Sequence, residues 1–455
     1  MPKVAISSAS RFAVWSLIIV TAISPLPFGS NRPFFWALLA CVVGTTGLIF
    51  SLIQSIKGSV SRVALSALQP LVVVYLLLWG ATLLQILPIA HWLPQTLLGH
   101  VRDGATISVA PGDSALFLLQ LSAFGITFYL AVQVGAQTER ARRFLSWVFW
   151  IVVAYAVFGL VALNQLGDTL LGLPKWTYLG DATGPFINRN SFATFLAFGV
   201  AIGTSLLLQD SPEIKGQVAS RLVYLAGIAC TGACLVSTHS RMGLVAGALG
   251  CISVLIAFAV KRRSIVELVA TLALVVTAGI VFALSGQGLL DRIGILDTSA
   301  DERFTLYPQV WTMILDRPFL GYGANSFEIA FPLFHQFPLS ADVAWTKAHD
   351  TYLALWAENG LIVGSMPLLI CALVASRLAI HFVRANALDC GVTAAMGCLV
   401  VAATHSTVDF SLEIQANAVL FVVVLGMGSG IVIGASRKSN VSVGVDNIAV
   451  SDGRG

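Results

Sequence analysis

The sequence predicts an all-α polytopic membrane protein with about twelve transmembrane helices and a large external loop between the ninth and tenth. Three observations carry that prediction. The 455 residues are 57% hydrophobic and only 11% charged, against about 25% charged in a soluble domain. Mean hydropathy is +0.86, and apolar runs of the length a bilayer demands recur from end to end. The short alternating segments of a membrane β-barrel are missing. A soluble enzyme, a secreted disulfide scaffold and a disordered chain are all excluded by this balance.

A bilayer core needs about 20 mainly apolar residues per helix. Twelve stretches meet that need, at 12–29, 33–54, 69–89, 114–134, 144–166, 190–208, 221–238, 241–260, 265–285, 349–376, 389–408 and 414–435. The first ends in Pro25-Leu26-Pro27 without a small-residue cleavage pattern, so it reads as a span and not a secretory signal. Residues 1–435 form one transmembrane domain, with 286–348 as its large external loop. The polar segment 436–455 is expected to be a disordered cytoplasmic tail. The seven cysteines, such as Cys230 and Cys234, lie in or beside apolar runs and read as small membrane-core side chains.

An even span count puts both termini on one side. One set of connections then gathers the basic residues, among them Lys57, Arg140, Arg142, Arg143, Lys261, Arg262, Arg263, Arg437 and Lys438. The other set gathers most of the acidic ones. Positive charge stays cytoplasmic, so both termini are read as cytoplasmic. The opposite, external side holds the long connections 91–113, 167–189 and 286–348. Connections of that length usually carry function.

Four places on this external side bear candidate chemistry. They are Gly184 to Ala193 at the start of the sixth span, Ser237 to Gly243 between spans seven and eight, Asp301 to Gly323, and Ala348 to Leu353 followed by Glu358-Asn359-Gly360. Spans six, eight and ten all start externally. Arg189, Arg241 and His349 therefore each fall within a turn of a helix N-terminus, where free N–H groups and a positive partial charge suit a phosphate. Asn188 or Asn190, Ser240 and Thr346 are candidate caps. Bland readings stand beside these. Arg189 can snorkel to lipid headgroups. Arg241 sits in a tight link where burial demands a partner, either Asp409 or an anionic ligand. Arg303 can pair within its acidic stretch, and Gly321 and Gly323 can be turn residues. His349 is the external histidine best placed to accept a proton at neutral pH. His239 can share the Arg241 site, and His405 with Asp409 can form a structural pair. No metal-ligand spacing and no nucleotide-binding phosphate loop is present.

Taken in order, Gly184 to Ala193, Ser240-Arg241, Arg303 with Trp311, Pro318, Gly321 and Gly323, and His349-Asp350 with Leu353, Glu358, Asn359 and Gly360 resemble the O-antigen ligase and polymerase superfamily of bacterial membrane glycosyltransferases. The resemblance covers mainly residues 180–365. Asp350 stands where that family often has Asn or Ser, and is expected to raise the pKa of His349. The resemblance implies a multi-pass protein of the bacterial inner membrane with its active site facing the periplasm. It implies an inverting transfer of a glycan from undecaprenyl diphosphate to an acceptor hydroxyl. For a ligase in lipopolysaccharide biosynthesis that acceptor is the lipid A core; for a polymerase it is a second lipid-linked repeat unit. Nucleotide sugar, metal and other cofactors are not implied, nor is nucleic acid. Carried onto this chain, His349 activates the acceptor, Arg189, Arg241 and Arg303 bind the diphosphate, and Asn190, Ser240 and Asp350 support them.

A secondary transporter is the competing class, since twelve spans suit that size. Transporters place polar residues near the bilayer midplane, often on broken helices within repeated halves. The polar set here lies at helix ends.

Overall fold

The computed structural model describes residues 8–58, 60–100, 104–209, 218–285, 298–340, 342, 344–385 and 387–451. Its helices are α1 (Ser8–Ile23), α2 (Pro33–Ile56), α3 (Gln69–Ile86), α4 (Pro111–Gly135), α5 (Thr138–Asn164), α6 (Arg189–Leu208), α7 (Val218–Ser237), α8 (Arg241–Arg262), α9 (Ile265–Ser285), α10 (Thr298–Asp316), α11 (Phe327–Ala330), α12 (Thr351–Gly364), α13 (Met366–Arg384), α14 (Cys390–His405) and α15 (Gln415–Ser451). Strands β1 (Thr169–Leu170) and β2 (Leu173–Pro174) form a two-residue antiparallel hairpin with Thr169 opposite Pro174.

Among the described residues, nine helices are long and apolar enough to cross a membrane. The chain is thus a polytopic helical membrane protein. Shorter apolar helices cover Ser8–Ile23, Leu268–Thr277 and Cys390–His405. At 1.5 Å per residue, the 16-residue α1 and α14 span about 24 Å, short of a hydrocarbon core about 30 Å thick. The stretch read as one span over 349–376 is instead two helices. Gly360 leaves helical geometry at φ 74°, ψ 168°, and Pro367 opens α13. The long apolar helix there is Met366–Arg384. Helix α15 continues to Ser451, past residue 436 where a disordered tail was expected. Its apolar part ends at Arg437, one residue from the boundary that composition gives.

Helix α6 is the centre of the bundle, buried from Ser191 to Leu206. Its Ala193, Ala197, Gly199, Ala201 and Gly203 let α5, α7, α8 and α14 approach closely, which is how small residues work inside a membrane. Helix α15 packs chiefly on α4 and α14. Part of the segment read as an external loop folds on its own small core. Leu306, Val310, Met313 and Ile314 of α10 bury against Phe327, Phe331, Ala354 and Ala357. Residues 286–297 of that loop, including Arg292, lie outside the described residues.

Candidate active site

The three helix starts singled out by sequence are each capped by a side chain. Asn188 caps α6, accepting from Asn190 N at 2.7 Å. Ser240 caps α8, accepting from Gly243 N at 3.2 Å. Asp350 caps α12, accepting from Leu353 N at 2.9 Å. Arg189 and Arg241 are therefore the first residues of their helices, and His349 immediately precedes the third cap. Helices α6 and α8 meet closely at these ends. A Cβ on Gly243 would come 2.5 Å from that of Ala193.

Arg189 is fixed by a carboxylate from the connection before it. Its Nη1 donates to Asp181 Oδ2 at 2.7 Å, with 35% of the side chain still exposed. The other oxygen of Asp181 meets His239 Nδ1 at 2.7 Å. One carboxylate thus ties the α6 start to the link between α7 and α8. The guanidinium also lies over the Tyr178 ring at 5.5 Å. Its buried Nε has no hydrogen-bond partner among the described residues.

Arg303 approaches from α10. It is half-buried. Its charge and that of Asp409 both reach Tyr178, Tyr307 and His349, so these groups share one small volume. The His349 imidazole stands edge-on to Trp345 and Phe410, with centroids at 5.7 and 5.1 Å. Its backbone is left-handed, φ 54°, and Tyr307 Oη donates to its carbonyl at 3.1 Å. A non-glycine residue held there carries strain of about 1–3 kcal/mol, so the imidazole is placed by its surroundings. Burial, then Arg303, push its pKa down to about 4; Asp409 opposes them and Lys347 adds to them. The ring is neutral at pH 7. Nδ1 is buried without a hydrogen-bond partner among the described residues.

The glycines near the site have a physical reason. Residues 318–323 lie backbone to backbone against 357–361, with Tyr322 N donating to Ala357 O at 3.0 Å and Leu361 N to Pro318 O at 2.7 Å. Gly321 (φ 64°) and Gly360 (φ 74°) face each other's strands so closely that a Cβ would stand 2.3 Å from Glu358 O and 2.4 Å from Phe319 O. The buried Glu358 carboxyl accepts from Asn325 N at 2.8 Å and Phe327 N at 3.3 Å. This brace holds α12, and hence His349, against the α10 unit. Lys347 pairs with Glu413 at 2.7 Å. Lys347 also lines a cavity of about 940 Å³. Thr351, Glu358 and Ser406 line it too, and most of the rest of the lining is apolar side chains of α2, α3, α4, α13 and α15.

The structure brings together Arg189, Asn190, Arg303 and His349, with Asp350 beside them. Arg241 has no hydrogen bond or ion pair among the described residues; it joins the group through the contact of α8 with α6. The suggested Arg241–Asp409 pair is not formed. Asp409 instead accepts from Asn190 Nδ2 at 3.0 Å and from Ser411. His405 does not hydrogen-bond Asp409 either, because it meets Thr194 Oγ1 at 2.6 Å. Thr346 is not the α12 cap. Asp350 does not raise His349: its carboxylate is spent on the helix N-terminus, and burial raises its own pKa. Arg317 is 2% exposed and serves the α10 unit, donating to Ile107 O at 3.1 Å and lying over Tyr322 at 4.5 Å. The Asp301 and Glu302 side chains, suggested partners for Arg303, lie outside the described residues. Sequence reading missed Asp181, Tyr178 and Tyr307. Asp181, three residues before Gly184, was within reach as an acidic residue near the Arg189 stretch.

Among the described residues, no group of three or more His, Cys, Asp or Glu side chains is placed so as to hold a metal ion. No curated protein matches the chain. Residues 226–368 match the family model described as O-Antigen ligase. That region contains Ser240, Arg241, Arg303, His349 and Asp350, whereas Arg189, Asn190 and Asp409 lie outside it. This match over residues 226–368 supports membership of the O-antigen ligase superfamily.

Proposed function

We propose that the chain is a ligase-like inverting glycosyltransferase that moves a glycan from undecaprenyl diphosphate to an acceptor hydroxyl, the lipid A core. The observation that carries this reading is the convergence of Arg189, Arg303 and a neutral His349 around Asp409, at helix N-termini and beside an apolar cavity. The acceptor oxygen bonds to the anomeric carbon as the carbon–oxygen bond to phosphate breaks, and the electron pair leaves with the diphosphate. Arg189, Arg241 and Arg303 take up that growing negative charge through charge-assisted hydrogen bonds. The α6 and α8 N-termini add to the field. The acceptor's proton goes to the His349 imidazole. Asn190 supports the site by holding Asp409, Ser240 caps the start of α8, and Asp350 caps the start of α12. The cavity receives lipid chain.

Twelve crossings, cytoplasmic termini and a periplasmic site in the bacterial inner membrane complete the proposal, on the strength of the charge asymmetry between connections. A polymerase using a second lipid-linked unit is the same chemistry with another acceptor. Neither the family match nor the site geometry supports transport. Binding of undecaprenyl diphosphate to the purified chain, followed by native mass spectrometry, tests the donor site. Retention by wild type and loss in Arg303→Ala is expected. Equal retention by both argues against the diphosphate assignment.

A further inference from the structure

Asp409 is a carboxylate that the family match does not reach. It is 1% exposed and has no ion-pair partner among the described residues. Burying a carboxylate without a cation at contact distance is costly. Its side chain is held by Asn190 Nδ2 at 3.0 Å and by Ser411. Its carbonyl accepts from Thr351 Oγ1 at 3.0 Å, and Thr351 N donates to Ser406 O at 2.9 Å. The 406–409 turn is therefore bolted to the residue two positions after His349. The next residue, Phe410, packs on the imidazole. Asn190 alone could be held by a neutral group; a charge in this place asks for another reason.

Among the described residues, Arg303 from α10, Lys347 from its own segment and Asp409 from the turn after α14 act on His349 through their charge. Tyr307 of α10 donates to its carbonyl, Asp350 follows it in the chain, and Tyr178 and His405 meet the same Arg303 and Asp409 charges. Lys347 is already paired with Glu413, and Asp350 with the α12 backbone. Of the nearby carboxylates, Asp409 is the one whose charge reaches the imidazole against Arg303.

We propose that Asp409 is a positioning residue for His349: fixed by Asn190 and Ser411 beside the Phe410 face of the imidazole, its carboxylate compensates the positive charge His349 acquires with the acceptor's proton. The inference rests on the transfer reading above. The proton moves from the acceptor hydroxyl to the imidazole and does not pass to Asp409.

The test is the pH profile of kcat/KM for glycan transfer by the full chain in proteoliposomes. Asp409→Asn is expected to lower the neutral-pH rate about tenfold to a hundredfold. It also moves the acid limb down by about one pH unit, because a favourable charge is removed from the imidazolium. On a His349→Ala background the same change costs little more, since the two act as one unit. An unmoved limb, or losses that add in full, would overturn the inference. If the Asn chain does not fold, Asp409→Glu keeps the anion but displaces it. Its loss must then vanish in the His349→Ala background, and full additivity overturns the inference again. A wild-type chain that transfers nothing overturns the transfer reading and this inference with it.

Discussion

Arg189 donates to Asp181 at 2.7 Å, yet its Nε remains without a hydrogen-bond partner among the described residues. The arginine is held through Nη1, its buried Nε is unsatisfied, and 35% of the side chain stays exposed, so the exposed part of the guanidinium can meet an anion. Arg189→Ala is expected to raise KM for the lipid-linked donor about tenfold to a hundredfold, the value of a charged hydrogen bond. Asp181→Asn, which loosens the same arginine, raises KM less. Steady-state kinetics with varied donor separates the two effects.

The pH dependence follows from His349. Its folded pKa of about 4 lies below the ordinary 6.5, so the proton-accepting neutral form persists down to about pH 4. The limb of kcat/KM is expected there, with a flat profile above. A bound diphosphate offsets Arg303, so the limb of kcat falls at higher pH than that of kcat/KM. Arg303→Ala removes a depressing charge and moves the kcat/KM limb upward. Profiles from pH 3.5 to 8 check all three directions.

Much of this was legible locally. The α6 and α8 starts, and the turn at Gly321 and Gly323, come from short patterns that a few neighbouring residues decide. Partner choice does not. Asp409 meets Asn190 across 219 positions, and only the packing of α14 and α15 on α6 selects that pair over Arg241. The broken tenth span shows the same limit. Apolar composition runs on through Gly360, whereas the backbone turns there to let residues 318–323 dock.

Gly321→Ala and Gly360→Ala each force a left-handed residue against a carbonyl. Each is expected to destabilise the chain by about 1–3 kcal/mol. Thermal unfolding in detergent measures the loss. Gly44→Ala, where a Cβ meets nothing within 4 Å, is the control that leaves it nearly unchanged.

Asp350→Ala removes the α12 cap, at about 1 kcal/mol. The same unfolding assay should show that cost. The kcat/KM acid limb should keep its position, since Asp350 serves the helix N-terminus and not the imidazole.

The central claim is transfer from a lipid diphosphate, and one assay meets it most directly. The purified chain in liposomes receives an undecaprenyl diphosphate-linked glycan and, in separate reactions, lipid A core or a second lipid-linked unit, with release of lipid diphosphate followed over time. The account predicts release with the core acceptor, lowered about a hundredfold or more but still measurable in His349→Ala. Ladders from lipid-linked units alone assign the chain to polymerisation, and no release with either acceptor across several donor glycans contradicts the account.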